Sequence, residues 1–324
     1  MTVRRFTAAL FLSAATLLLQ PLPSVAQSDK PAIRMVLGLA PGGVNDIVAR
    51  GLAEKLRGIL GQSVVVENKP GAGQRLALGE VKRSRPDGSV LLIATNSPLT
   101  VLPHMYPKLD YDPVKDFTPI ARVLTFELAL ASGPMEPLRN MAEMVSWVKA
   151  NPTKANYGSP GAGTSPHFVG VMLGTAIGVD LVHVSYKGGA PAFADLIGGQ
   201  IPLVMNSLSD MVQLHKMGKI KILASTGEQR STLVPDVPTM KESGIDMTAV
   251  VSVGIYGPAG MPADVVKRLN AAIVEAVNSP DLRDRFISYG LTPAPSTPKE
   301  LAASQAEDFK RWAGPVKKSG FKPE

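Results

Sequence analysis

The chain has no cysteine among its 324 residues, which excludes disulfides, a thiolate metal site and a thiol nucleophile. An oxidising compartment is compatible with that, provided the core is large enough to hold without cross-links. Other absences narrow the function. The phosphate-loop pattern GxxxxGK[ST] does not occur, so nucleotide hydrolysis has no support. The dinucleotide fingerprint GxGxxG is missing too: Gly71-Ala72-Gly73 lacks its third glycine, and Gly158–Gly163 has the wrong spacing. Gly163-Thr164-Ser165-Pro166-His167 fails the GxSxG nucleophile elbow at its last position. The four histidines (His104, His167, His183, His215) form no HxxH or HExxH pair, so neither a metal nor a cofactor is expected. The formal net charge is +7, yet the basic residues are scattered in small groups such as Lys82, Arg83 and Arg85, or Lys310 and Arg311. That favours mild attraction of anionic solutes and argues against nucleic acid, which needs a basic stripe or a recognisable module.

Long apolar runs are confined to the amino terminus. Arg4 and Arg5 precede the apolar stretch Phe6–Leu19, and Ser24-Val25-Ala26 supplies small residues for a signal peptidase. Residues 1–26 are therefore expected to be a secretory signal peptide cleaved after Ala26, delivering the protein to the periplasm. No cysteine follows the run to carry a lipid, and no later segment reaches the ~20 apolar residues of a membrane span. Roughly 300 residues remain, enough for two lobes of ordinary domain size.

What is present is organised around Ile33–Leu60. The pattern predicts a buried strand over Ile33–Leu39, a Pro-Gly-Gly loop at Pro41–Gly43 and a helix opening near Asn45 or Asp46. Ile47, Leu52, Leu56 and Ile59 recur at helical spacing, with Arg50, Glu54 and Arg57 on the wet face. Glycine lets backbone approach a ligand, and the helix start offers unpartnered N–H groups with a partial positive charge. Such a unit suits a carboxylate or a phosphate, although a tight turn with a capping Asn45 or Asp46 explains it equally well. The device recurs at Ala155–His167, where Gly158-Ser159-Pro160-Gly161-Ala162-Gly163 runs into an apolar helix through Ile177. Two such loops about 120 residues apart suggest two jaws closing on one small molecule.

Between them short apolar runs alternate with amphipathic helical patterns, the signature of an α/β fold with mainly parallel strands. Strands are expected at Ser63–Glu67, Val90–Ala94, Leu181–Ser185, Ile201–Met205 and Ile220–Ala224, and helices near Gln74–Arg83 and Pro137–Lys149. Crossing strands are expected at Ala121–Leu130 and Val250–Tyr256, with Pro262–Asn278, Asp281–Tyr289 and Pro298–Val316 as closing helices. Open α/β sheets bind ligands at strand carboxyl ends, which makes Thr95 and Asn96 candidate contacts or plain turn residues. Tyr186 is read as a ligand contact, and Lys187 is left open between contact and solvated charge. His167, Asn206 and Asp210 are each either contacts or helix-start residues.

With these residues in view the chain resembles the Bug (TctC-like) family, the substrate-binding receptors of tripartite tricarboxylate transporters. The likeness rests on PGGVNDIVARGLAEKL, GQSVVVENKPGAG, YDPVKDFTPIARV, NYGSPGAGTSPHF, VSYKGGAPAFADLIGGQIPLVMNS and GIYGPAGMPADVVKRLN, in that order. It implies a two-lobed type II periplasmic-binding-protein fold with a ligand cleft between the lobes, 27–126 plus 253–324 forming one and 127–252 the other. It further implies a small carboxylate ligand, membrane permease subunits as partners, a monomer and no catalysis. Carried over by position, the first jaw is Pro41, Gly42, Gly43, Val44, Asn45 and Asp46, and the second is Gly161, Gly163, Thr164 and His167. Tyr186, Gly188, Gly189, Asn206 and Asp210 complete the lining. One departure stands out: after PGAG the family usually continues Gly-Asn-Ile-Gly, whereas this chain has Gln74-Arg75-Leu76-Ala77.

Three rival readings stay open at this point. An exported sensor would signal without transport. A hydrolase would use Ser165, and a cytoplasmic effector domain would carry a DNA-binding segment where the export signal stands. For the receptor reading, Gly43→Val and Gly163→Val are both expected to abolish binding without unfolding the protein.

Overall fold

A computed structural model describes residues 31–318, so the expected signal peptide lies outside the described residues. The first half opens with β1 (Ile33–Leu37), α1 (Val44–Leu60), β2 (Val64–Asn68), α2 (Arg75–Lys82) and β3 (Val90–Thr95). Short helices α3 (Ser97–Thr100) and α4 (Leu102–Met105) lead to the 16-residue strand β4 (Phe117–Ser132). The second half holds α5 (Met141–Ala150), β5 (Asn156–Ser159), α6 (Ser165–Ile177), β6 (Val182–Ser185), α7 (Gly189–Ile197), β7 (Leu203–Ser207), α8 (Leu208–Lys216) and β8 (Lys221–Ser225). The chain returns through β9 (Val250–Pro258) and closes with α9 (Ala263–Asn278), α10 (Pro280–Ser288), the two-residue β10 (Thr292–Pro293) and α11 (Pro298–Lys318).

The helices form for local reasons. On α1 the residues Val44, Val48, Leu52 and Leu56 are buried at four-residue intervals, whereas Arg50, Glu54 and Arg57 are exposed. Each fully buried aliphatic side chain on that stripe contributes about 1.5–3 kcal/mol. Ile47 and Ile59 are only half-buried, so the inward stripe is rotated from the one the periodicity suggested. Helix α5 starts at Met141 rather than Pro137, because Asn140 accepts the Glu143 N–H at 2.9 Å and caps it there.

Strand pairing explains how the halves join. β2, β1 and β3 are parallel neighbours, as are β6, β5 and β7. β9 pairs antiparallel with β3 on one side and β4 on the other. β4 keeps β9 as partner through Glu127, then pairs with β7 and β8 from Leu128 to Ser132. One strand thus belongs to both halves, with its pairing changing at Glu127–Leu128. Helix α11 also spans the junction: the Trp312 ring meets Phe168 of α6 edge-on at 6.4 Å, and Asp308 accepts from Asn96 at 2.7 Å. The sequence placed that helix on the first half alone.

This register brings carboxyl ends of strands from both halves close together. Thr95, at the end of β3, lies opposite Val253, which lies opposite Leu124 of β4. Asn206, at the end of β7, lies opposite Ala129 of the same strand. The two carboxyl edges are therefore anchored within five residues of one strand, roughly 17 Å at ~3.3 Å per residue. Because β3 runs along β4 and β7 runs against it, these two edges point toward each other across the crossing segments.

Candidate functional site: a crevice between two sheet edges

The first loop follows β1. Pro41, Gly42 and Gly43 are exposed, Gly42 sits at φ +88°, and a Cβ placed on Gly43 would meet nothing within 4 Å. Gly43 is the N-cap of α1 in an extended conformation, and no side chain caps the helix. Asp46 points inward. Its carboxylate accepts from the Gly42 N–H at 3.1 Å, Arg50 at 2.9 Å and Asn68 at 2.9 Å. Burial works against ionisation there, but the bonds from Arg50, Asn68 and the Gly42 N–H hold the carboxyl below its usual range. Asp46 therefore shapes the loop from behind. Val44 is buried beneath it, while the Asn45 Oδ1 is buried without a hydrogen-bond partner.

The second loop is built from below in the same manner. The Gly163 N–H donates to His167 Nδ1 at 3.2 Å, and Thr164 Oγ1 donates to the Gly161 carbonyl at 2.7 Å. Thr164 is the N-cap of α6 but makes no capping bond with its side chain. His167 is 2% exposed and stacks on His183, ring centroids 3.8 Å apart, and its carbonyl accepts from Tyr157 at 2.5 Å. His183 Nε2 lies 2.7 Å from Ser159 Oγ. Burial, together with the neighbouring His183, holds the His167 pKa down at about 3, and burial holds His183 at about 4. The pair is a neutral support for the loop.

That neutrality has a sign. Both histidines protonate near pH 6.5 once unfolded and resist protonation when folded, so the unfolded state binds more protons below pH 6.5. Their contribution is complete above pH 6.5 and drains away as pH falls through about 4 for His183 and about 3 for His167, on the order of 3 to 5 kcal/mol per buried ring at the limit. Melting curves from pH 7 to 5, above the carboxylate range, are expected to fall more steeply for the wild type than for His183→Gln. Equal slopes would refute the assignment.

Tyr186, Gly188 and Gly189 follow β6. The Tyr186 hydroxyl donates to Asp195 at 2.7 Å, and burial and that carboxylate push its pKa up to about 12. Its polar end is thus committed to α7. Gly188, at φ +107°, caps α7 without a side chain. A Cβ on Gly189 would lie 2.5 Å from Asn206 Nδ2, so that glycine makes room for Asn206. Asn206 Oδ1 accepts the Ser207 N–H at 2.8 Å, leaving its buried Nδ2 without a partner. Burial raises the Asp210 pKa. On the first half, Thr95 accepts from Gln74 at 3.2 Å, and Asn96 donates to Asp308.

The halves meet at this edge. Ser97 Oγ donates to the Gly163 carbonyl at 2.6 Å, and a Cβ on Gly73 would lie 3.7 Å from the Ala162 carbonyl oxygen. Four helices, α1, α6, α7 and α8, start around the crevice without side-chain caps. By contrast, α5 and α11 carry caps from the exposed residues Asn140 and Thr297. Helices α2, α3, α4, α9 and α10 lack side-chain caps as well; the first residues of α9 and α10 are exposed at the surface, where water serves. Nearby cations are engaged: Arg50 with Asp46, Arg34 with Glu67 and Glu80, and Arg75 over the Tyr106 ring at 4.4 Å. Lys187 is exposed. The crevice therefore offers backbone N–H groups and amide side chains rather than paired charges, a chemistry suited to an anion.

Sequence reasoning named Gln74 only as a departure after PGAG and Ser165 only as a hydrolase nucleophile, and gave neither of them nor Ser97 as a ligand contact; the Ser165 hydroxyl is buried without a partner at the start of α6. Among the described residues no group of three or more His, Asp and Glu side chains is placed to hold a metal, and no helix is long and apolar enough to cross a membrane. A separate groove of about 930 Å³ runs between Tyr106–Phe117 and α11, away from both glycine loops.

Residues 48–321 match the tripartite tricarboxylate transporter family receptor (TctC). The chain belongs to this family. Among solved structures it resembles the periplasmic binding protein BugD, with 33% identity, a TM-score of 0.84, and coverage of 90% of this chain and 99% of that one. It also resembles MatC from Rhodopseudomonas palustris, solved with bound malate, at 30% identity and TM-score 0.81, covering 88% of this chain and 98% of MatC. A second R. palustris protein, solved with adipate, shares 26% identity with TM-score 0.86 and coverage of 90% and 98%. The TctC family is one of solute-binding receptors, and the two-lobed α/β periplasmic-binding-protein architecture read from the sequence is the fold of this chain.

Proposed function

We propose that the protein is a periplasmic receptor that captures a small carboxylate between its lobes and hands it to a membrane permease of the tripartite type. The observation that supports this reading is that uncapped helix starts from both halves stand at sheet edges that point toward each other. The malate and adipate held by two relatives support the carboxylate class. In this reading the lobes are 27–126 plus 253–324 and 127–252, hinged where β4 changes partners and where the chain enters β9. Pro41–Asp46 and Gly161–His167 form the jaws, with the exposed glycine backbone meeting the ligand and Asp46 and His167 holding each loop in shape.

Function follows from closure. Binding energy shifts an equilibrium between open and closed arrangements, and the closed one is what a permease recognises. A thermal-shift panel of mono-, di- and tricarboxylates with their neutral amides tests this. Acids are expected to raise the melting temperature, by the equivalent of about 2.7 kcal/mol at 100 times Kd, while the matched amides do not. A panel in which amides stabilise as well as acids would overturn the proposal.

A further inference from the structure

Gln74 is the one non-glycine residue at positive φ (75°) among the described residues. A side chain in the left-handed region is strained, and such strain persists where the surroundings hold it in place for a purpose. Its position is fixed on three sides. A Cβ on Gly38 would lie 2.6 Å from the Gln74 Cβ, so that glycine leaves room for it at the end of β1. Gln74 Nε2 donates to Thr95 Oγ1 at 3.2 Å, tying it to the end of β3. Its neighbour Gly73 approaches the Ala162 carbonyl of the second loop. The side chain is 3% exposed, and its Oε1 is buried with no hydrogen-bond partner. A buried amide oxygen left without a donor loses the hydrogen bond it had in water and gains nothing in return.

We infer that Gln74 is a specificity-determining residue whose Oε1 accepts a hydrogen bond from a hydroxyl or ammonium group next to the ligand's carboxylate. The inference rests on the crevice being the carboxylate site. A bare aliphatic acid has no donor to offer, so it leaves Oε1 unsatisfied in the closed state. A 2-hydroxy or 2-amino acid of the same length satisfies it. Discrimination of this kind is large, because the penalty falls on a buried polar group that the wrong ligand cannot pair.

The test is a calorimetric and thermal-shift comparison of matched sets: propionate, lactate and alanine; succinate, malate and aspartate; phenylacetate and mandelate. Within the set of the size that fits, the wild type is expected to prefer a hydroxy or amino member over the bare acid by at least tenfold. Gln74→Gly, which relieves the positive φ, is expected to bring that ratio to within about threefold while still binding the bare acid. Gln74→Ala serves as a second variant that keeps a Cβ but removes the amide. A wild type that shows no preference within any set, or a ratio that survives both substitutions, would overturn the inference while leaving the receptor reading intact. Failure of every acid to bind the wild type would overturn both.

Discussion

Gly43→Val is expected to weaken carboxylate binding by at least 100-fold while shifting the melting temperature by no more than about 2 °C. A hundredfold is about 2.7 kcal/mol, the scale of two or three charge-assisted hydrogen bonds to an oxyanion. Gly43 has φ −82° and ψ 171°, a conformation valine adopts readily, and its Cβ would enter open space. The fold therefore tolerates the change. The open space is the mouth of the first loop, so the isopropyl group stands where the ligand's carboxylate would meet the helix start. Calorimetry with the best acid from the panel, paired with a melting curve of each protein, checks both halves of the expectation. Retained affinity would remove the first loop from the site.

Gly163→Val is expected to abolish binding too, but through a different route and at a cost in stability. Gly163 sits at φ +80°, where an L side chain costs about 1–2 kcal/mol and a β-branched one more. Its Cβ would lie 2.6 Å from Leu102 Cδ2 and 3.6 Å from Met105 Cε, both on the opposite half. The valine thus strains its own loop and wedges the halves apart at the point where Ser97 bonds the Gly163 carbonyl. A fall of several degrees in melting temperature is expected alongside the lost binding. This corrects the expectation drawn from sequence, in which both glycine variants stayed equally well folded. A Gly163→Val protein as stable as the wild type and still able to bind would contradict the contact between the halves.

Much of the architecture was legible because it depends on local pattern. Alternation of apolar runs with amphipathic stretches marks the parallel strands and their helices, and the glycine loops mark the strand-to-helix turns. The short helices of Ser97–Met105 were missed, since four-residue helices carry no period. The full 16-residue reach of β4 was missed as well, because its two ends are buried by different partners. Side-chain roles were the least legible. Asp46 finds Asn68, His167 finds His183 and Tyr186 finds Asp195, and nothing in the spacing distinguishes those inward partners from a ligand. Gln74 was visible only as a departure from the expected glycine; its strain and its unpartnered oxygen need the backbone to be seen.

The claim on which the account rests is that one acid is gripped from both halves at once. Because the chain contains no cysteine, Arg57→Cys on α1 and Ala176→Cys on α6, both exposed, give a unique pair for spin labels. Electron resonance distances between them, with and without the acid that stabilises the protein most, measure the grip directly. A saturating acid is expected to collapse the distribution into one narrow, shorter population, and in the Gly43→Val background the same concentration is expected to leave it unchanged. A distribution that stays as broad and as long at saturation, with binding verified in the same sample, would contradict the account.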